Sequence, residues 1–271
     1  MSRLVGPRLL PETTRVIAAF ELRRNLRSFR FLVSSALLTV LVALAVWVGL
    51  ADYRLRVEAY EGKQAEQDSS LILGNVYSSL QPIVLKTPNP MAIFERGVDA
   101  QEGTEVRITL GEVPMTAAGQ NRGNPYLARL VGFDVTTVIK LVLGLGALLL
   151  TFDSMVGERS RRRVELLSAH GVTPFTILSA SSLAVLGALT VSLTVALGPP
   201  LVVLFSLGVL PIENTPWLRL TGLLASYLAY GAVMALLGLA ISLRASSVAR
   251  SLVYATLAWL VLVILLPLAL A

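Results

Sequence analysis

Five long apolar stretches alternate with polar segments along the chain and predict its main elements. Residues 31–50 are twenty residues without a charge, and about 20 helical residues cross a hydrocarbon core of about 30 Å. Comparable stretches follow at four further places. The predicted spans are residues 31–50, 133–152, 174–210, 218–243 and 251–271. We therefore predict an all-α integral membrane protein with five transmembrane helices.

The third stretch is too long for a simple crossing. It holds 37 residues without a charge and contains Gly198, Pro199 and Pro200. A continuous helix of that length measures about 55 Å, so it is either one long, kinked span or a re-entrant hairpin. With a single crossing, residues 211–217, which have one Glu and no basic residue, lie outside. Residues 244–250, which have two Arg and no acidic residue, then lie inside. The positive-inside rule prefers this arrangement.

The segment before the first stretch is basic. Residues 1–30 contain seven Arg and two Glu, and such an excess beside a span keeps its segment in the cytoplasm. Residues 12–30 lack Pro and Gly and show moderate helical periodicity, which favours an interfacial helix on the inner leaflet. The long charged leader favours an uncleaved signal anchor over a cleaved signal peptide.

Residues 51–132 form the one long polar segment. Its eight basic and ten acidic residues reverse the sign of the charge, which places the segment outside as an extracytoplasmic domain. Residues 52–73 are typical of a helix, and residues 104–110 alternate apolar and polar positions as a strand does. We predict a small α+β insert without a catalytic constellation.

Composition supports a membrane protein and removes several kinds of chemistry. Of 271 residues, 55% are hydrophobic and 15% charged, and the mean hydropathy is +0.72; soluble chains carry about 25% charged residues. Because the basic residues concentrate beside the spans, the net charge of +6 indicates topology rather than nucleic-acid binding.

The chain has no Cys and one His, His170, which excludes thiol chemistry and the usual zinc and haem sites. It also lacks a Gly-x-x-x-x-Gly-Lys-Ser/Thr loop, so any ATP is hydrolysed by another subunit.

The connection between the second and third stretches, residues 153–173, is the most informative segment. It places Leu166 and Leu167 beside an Arg cluster, a composition that predicts a short amphipathic helix at the membrane edge. Such a helix fits a groove on a cytoplasmic partner. A basic loop that only sets topology explains the composition equally well, so both interpretations stay open at this point.

The same segment resembles a known family. It is similar to the coupling region of type 2 ATP-binding-cassette transporter permeases (ABC-2 type), where an aromatic-Asp pair precedes Gly-Glu-Arg, a Leu run and a Gly-Val-Ser-Pro-like helix start. The matching positions are Phe152, Asp153, Gly157, Glu158, Arg159, Leu166, Leu167, Ser168, Gly171, Val172 and Pro174. Residues 20–28 and Trp259 followed by Pro267 are also similar, so the resemblance extends over most of the chain.

The resemblance implies a permease subunit of the cytoplasmic (inner) membrane that pairs with a second permease copy or a paralogue. A separate cytoplasmic ATPase would bind ATP and Mg, and this chain would bind no cofactor itself. The ATPase-coupling residues implied are Asp153, Gly157, Glu158, Arg159, Leu166 and Leu167. We assign no catalytic or metal-binding residue. Complete members usually have six spans, so five spans are compatible with a truncated six-helix permease.

Two features inside the apolar stretches are further candidates. Lys140 lies about 10 Å inside the second stretch, where a charge is expensive. It either snorkels to the outer surface or contacts a substrate or a proton. Gly198, Pro199 and Pro200 form a candidate hinge, with a static kink as the alternative.

Four glycines suit close helix packing, namely Gly144, Gly146, Gly231 and Gly238.

The sequence thus favours a permease that moves a substrate across the membrane with ATP hydrolysed elsewhere. The alternative is a non-transporting membrane anchor whose extracytoplasmic domain binds a partner or ligand. Residues 153–168 discriminate between the two, because a transporter needs them to contact an ATPase, whereas an anchor tolerates any basic loop there.

Overall fold

A computed structural model describes residues 10–73, 83–95, 105–107, 134–160, 169, 172–210 and 217–270. Nearly all of these residues are helical. The α-helices are α1 (Leu10–Leu26), α2 (Phe29–Leu73), α3 (Val135–Val138), α4 (Gly144–Thr151), α5 (Ser154–Ser160), α6 (Pro174–Ser206), α7 (Trp217–Arg244), α8 (Val248–Trp259) and α9 (Leu266–Leu270). Two π-helical turns, Ile139–Leu143 and Leu260–Leu265, join α3 to α4 and α8 to α9.

Within this described part of the chain, five helical segments are long and apolar enough to cross a membrane, as the sequence predicts. They are Phe29–Ser69, Val135–Gly157, Phe175–Ser206, Trp217–Arg244 and Val248–Ala269. The prediction of an all-α membrane protein with five spans is therefore confirmed.

The boundary between α1 and α2 is set by Ser28. Its hydroxyl accepts a hydrogen bond from the Phe31 amide at 3.2 Å and donates to the Asn25 carbonyl at 2.7 Å. Ser28 is thus the N-cap of α2, since it satisfies an amide of the first turn that has no partner within the helix. The chain changes direction at this cap, where the basic leader meets the first apolar stretch.

Helix α2 extends far beyond the predicted span. Its 45 residues correspond to about 67 Å at 1.5 Å per residue, roughly twice the thickness of a hydrocarbon core. The predicted helix over residues 52–73 is present and continues the first span without a break. An ion pair between Arg56 and Asp52, four residues apart, supports this charged half of the helix.

The chain divides into two compact units. The helical unit comprises Met1–Val42, Val138–Val203 and Thr215–Ala271. The second unit comprises Ala43–Thr137 and Leu204–Asn214.

In the second unit, two short strands form an antiparallel pair. Strand β1 (Ile83–Leu85) pairs with β2 (Glu105–Arg107), with Val84 opposite Val106. The strand predicted over residues 104–110 is present at Glu105–Arg107, and its other positions lie outside the described residues. Lys63 of α2 forms an ion pair with Glu105 of β2, which ties the strand pair to the helix.

A 3-10 helix, Pro90–Ile93, contributes buried apolar residues to the described part of the second unit. Asn89 caps it by accepting a hydrogen bond from the Met91 amide at 3.0 Å. Ile93 and Phe94 are buried. A side chain at Gly49 of α2 would meet the Ile93 carbonyl oxygen at 2.7 Å, so the two backbones pack closely at this glycine.

Helix α6 is one continuous helix that passes through Gly198, Pro199 and Pro200. At its end, the amides of Gly208 and Val209 donate to the carbonyls of Phe205 and Leu204, both at 3.1 Å. Gly208 has φ 69°, the left-handed conformation that this type of helix end requires and that glycine adopts without strain.

Helices of the helical unit approach one another closely at Gly144, Gly146, Gly231 and Gly238, which confirms the packing prediction for these glycines. A side chain at Gly144 or Gly238 would collide with Tyr230 or Thr151, respectively. The corresponding neighbours are Ser34 for Gly146 and Leu189 with Leu143 for Gly231. Helix α1 joins the same unit through Leu22, which packs against Gly187 of α6.

Candidate coupling site

A two-residue turn at Phe152 and Asp153, called the helix break below, separates α4 from α5. The Phe152 amide still donates to the Leu148 carbonyl at 2.9 Å, and the Gly157 amide donates to the Asp153 carbonyl at 2.8 Å. Each helix is therefore regular up to the break. Three further backbone groups beside the break, the Phe152 carbonyl and the Met155 and Val156 amides, bond with side chains of other helices.

Ser242 of α7 caps the start of α5. Its hydroxyl oxygen accepts hydrogen bonds from the amides of Met155 at 3.1 Å and Val156 at 3.2 Å. Ser242 is 0% exposed. The amides of the first helical turn have no partner within their own helix. The cap usually comes from the residue that precedes the helix, but here a side chain of a different span supplies it.

Ser251 of α8 performs the matching role for α4. Its hydroxyl donates to the Phe152 carbonyl at 2.6 Å, and the residue is 0% exposed. A carbonyl at a helix end without a partner is expensive inside an apolar protein. Backbone groups on the two sides of the break are thus hydrogen-bonded by side chains of α7 and α8, respectively.

Arg30 connects the break to the first span. Its Nη1 donates to Asp153 Oδ2 at 2.8 Å, and its Cζ lies 4.6 Å from the centroid of the Phe152 ring. The ring is buried, whereas the charged side chains are 46% and 36% exposed. One guanidinium therefore makes an ion pair and a cation–π contact with consecutive residues.

The break also lies against a tight helix crossing. The Thr151 hydroxyl donates to the Ala147 carbonyl at 2.9 Å within α4, and Gly238 of α7 approaches the same hydroxyl so closely that a side chain there would collide with it. The hydroxyl is thus occupied within its own helix, and the glycine lets α7 pack directly against it.

A polar cavity of about 200 Å³ lies next to the break. Its polar lining comes from the α1–α2 turn and from the start of α5, namely Arg24, Asn25, Ser28, Arg30, Asp153 and Ser154. The cavity is therefore part of the same junction of α1, α2, α4 and α5.

The structure brings together part of the predicted coupling set. Asp153 lies at the break and Gly157 in the following helix. Glu158 and Arg159 end the same helix, but their side chains are not among those described. Leu166 and Leu167 lie outside the described residues. The coupling role of all six residues stays a prediction.

Lys140 lies in the π-helical turn Ile139–Leu143 and its side chain is exposed. Its carbonyl accepts a hydrogen bond from the Tyr230 hydroxyl at 2.7 Å. A π-helical turn shifts the backbone hydrogen-bonding pattern, and Tyr230 satisfies a carbonyl at this point. The exposed side chain is compatible with snorkelling, and a substrate role stays a prediction.

The candidate hinge at Gly198, Pro199 and Pro200 lies inside α6 and does not interrupt it. A proline cannot donate a backbone hydrogen bond and therefore weakens the helix one turn earlier. Bending at this place stays a prediction.

Sequence reasoning missed Arg30, Ser242 and Ser251 as members of the site. Arg30 belongs to a run of leader arginines and so carried only a topological meaning. The two serines stand at the ends of predicted spans, on either side of the short connection between α7 and α8. Small hydroxyl residues at such ends often satisfy the backbone of a neighbouring helix, which is the signal that could have found them.

Comparison with known proteins connects this junction to a family. A comparison with curated proteins finds no match to the chain. A comparison with protein families matches residues 15–270 to the family described as ABC-2 family transporter protein. The match includes all five spans and the helix break with its partners. The chain therefore belongs to the ABC-2 family of transporter proteins.

Proposed function

We propose that this chain is the membrane-spanning permease subunit of an ATP-driven transporter, which moves a substrate across the cytoplasmic membrane. A separate ATPase subunit binds ATP with Mg and hydrolyses it, and a second permease copy or paralogue completes the assembly. The observation that carries the proposal is the helix break at Phe152 and Asp153. Side chains of three other helices, α2, α7 and α8, bond directly to this break.

The bonds at the break give a route from a docked ATPase to the spans. Helix α5 and residues 161–168 are where the ATPase docks in our proposal. A displacement of α5 acts on Ser242 through the Met155 and Val156 amides, and a displacement of the break acts on Arg30 and Ser251. ATP-driven docking then favours one of two arrangements of the spans, because the ATPase contacts the two arrangements differently. A two-state mechanism requires such a difference in contact.

The coupling residues divide into two groups in this proposal. Asp153 and Gly157 position α5, whereas Glu158, Arg159, Leu166 and Leu167 contact the ATPase. The N-terminus and residues 153–173 lie in the cytoplasm, and residues 51–132 lie outside, in keeping with the charge distribution.

Replacement of three contact residues tests the proposal. The variant Glu158→Ala, Arg159→Ala, Leu166→Ala is expected to insert normally but to lose the ATPase during affinity purification from native membranes. The matched control is Glu58→Ala, Arg54→Ala, Leu55→Ala, which removes the same side-chain types from exposed positions of α2. The control is expected to retain the ATPase. Retention by both variants contradicts the docking proposal and favours a membrane anchor that needs no such contact.

A further inference from the structure

The π-helical turn Ile139–Leu143 in the second span leaves one backbone carbonyl to a side chain of α7. In a regular α-helix the Gly144 amide would donate to the Lys140 carbonyl, four residues earlier. Here the Gly144 amide donates to the carbonyls of Ile139 and Leu141. The Tyr230 hydroxyl donates to the Lys140 carbonyl at 2.7 Å. It replaces the bond that the turn removes, and an unbonded carbonyl would be expensive inside a membrane.

The local sequence does not require this turn. Residues 134–157 contain no proline, whereas Pro267 directly follows the other π-helical turn of the described chain, Leu260–Leu265, and a proline disturbs the helix before it. The turn in the second span has a tertiary contact instead. A side chain at Gly144 would collide with the Tyr230 hydroxyl, so the glycine gives the hydroxyl access to the turn. Single π-helical turns of this kind are frequent at functional sites.

We propose that Ile139–Leu143 is a conformational switch, which Tyr230 latches in its π-helical form and which the transport cycle converts to regular α-helix. In the α-helical form the Gly144 amide supplies the bond that the Lys140 carbonyl loses from Tyr230. The carbonyl has a donor in both forms, so two discrete arrangements are available, as a switch requires. The driving force rests on the function proposed above, whereas the latch itself does not.

The turn is connected to the helix break by α4. This helix has eight residues and is therefore about 12 Å long. Helix α7 bonds to the second span at both ends of α4, through Tyr230 at the turn and through Ser242 at the start of α5. A displacement of the break thus moves α4 relative to Tyr230. A movement of about 1.5 Å, the rise of one helical residue, is enough to change the register of the turn.

The change of register has a defined consequence for the residues before the turn. If α4 keeps its place, conversion to α-helix moves each of them by one position, which is about 100° around the helix axis. Val138, which is 1% exposed, takes the place now held by the half-buried Thr137. Thr137 takes the place of Thr136, which is buried. The exposure of the two neighbouring positions 137 and 138 therefore changes in opposite directions.

Cysteine reactivity of the purified full-length chain tests the latch without the ATPase. The chain has no Cys, so Thr137→Cys and Val138→Cys each provide a single thiol for N-ethylmaleimide in detergent solution. Tyr230→Phe removes only the hydroxyl and is expected to raise the reaction rate at position 138 several-fold and to lower it at position 137. Gly144→Ala is expected to act in the same way, because its methyl group displaces the hydroxyl. The control Tyr254→Phe removes a hydroxyl from an exposed position of α8 and is expected to change neither rate.

Two results overturn the latch. One is a pair of unchanged rates in Tyr230→Phe. The other is a rise at both positions, which indicates loosened packing rather than a change of register.

The same two thiols in native membranes test the link to transport. With ATP and vanadate, the chain that retains Tyr230 is expected to show the same opposite changes at positions 137 and 138. Unchanged rates while the ATPase co-purifies with the chain overturn the role of the switch in transport. If no ATPase co-purifies, the proposed function fails instead, and the rates in the purified Tyr230→Phe variant still decide whether the latch exists.

Discussion

Arg30 at the start of α2 donates to Asp153 at the α4–α5 break over 2.8 Å, although 123 positions separate the two residues in sequence. The same guanidinium lies 4.6 Å from the centroid of the Phe152 ring. This pairing joins the first span to the segment that we propose as the docking site of the ATPase. Both charged side chains are substantially exposed, so their energetic effect is modest even though their position is informative.

A double-mutant cycle measures that pairing. We expect Arg30→Gln and Asp153→Asn to show a coupling free energy of about 0.5–1 kcal/mol, the range of exposed ion pairs. The measurement is thermal unfolding of the unaltered chain, the two single variants and the double variant in one detergent. A coupling above about 2 kcal/mol would contradict the exposure of the pair, because only desolvated pairs reach such values.

Ser242→Ala is expected to destabilise the chain by about 1–3 kcal/mol, because two buried amides at the start of α5 lose their acceptor. Hydrogen exchange at the Met155 and Val156 amides is expected to rise together with the loss of thermal stability. The matched control is Ser226→Ala, an exposed serine of the same helix that bonds only to the Leu223 carbonyl. We expect the control to change stability by less than about 0.5 kcal/mol. Equal effects of the two substitutions would contradict the role of Ser242 as the cap of α5.

Gly238→Ala is expected to destabilise the helical unit by about 1–3 kcal/mol, because the added methyl group collides with Thr151. The double variant with Thr151→Ala is expected to recover part of that loss. Gly222→Ala, in the same helix, meets nothing within 4 Å and is expected to be neutral or slightly stabilising. Thermal unfolding distinguishes these outcomes, and a neutral Gly238→Ala would show that the crossing is looser than described.

Gly49→Ala tests the packing of the second unit. The added methyl group meets the Ile93 carbonyl oxygen, which belongs to the backbone and cannot rotate away. We expect the buried Phe94 to become accessible, so that chymotrypsin cleaves after it several times faster in detergent solution. Gly62→Ala in the same helix has open space around it and is expected to leave the rate unchanged. A rate that does not differ between the two variants contradicts this packing.

The spans were predictable because each is a long apolar run with at most two charges, which has few alternatives to a membrane helix. The helix after Leu50 and the strand around Val106 were predictable from local patterns. The continuity of α2 from the first span to Leu73 was not. The helix continues from an apolar segment, residues 31–50, into a polar one, residues 52–73. The pattern of either segment alone does not show whether the helix continues into the other.

The candidate site was predictable only where it is local in sequence. Phe152, Asp153 and Gly157 follow one another closely, so a motif identifies them. Arg30, Ser242 and Ser251 reach the same break from distant parts of the chain, and hydrogen bonds between a side chain and a distant backbone group leave no periodic pattern. Only the three-dimensional arrangement reveals that they share one site.

The central claim is that the segment after the helix break contacts a cytoplasmic ATPase. It is tested most directly by a photo-crosslinking residue placed at Arg161 in native membranes, with mass spectrometry of the captured protein and a second probe at Arg54 as the control. We predict capture of a nucleotide-binding ATPase from position 161 and none from position 54. A correctly inserted chain that captures no ATPase from position 161 would contradict the account, and the function would then have to be sought in residues 51–132.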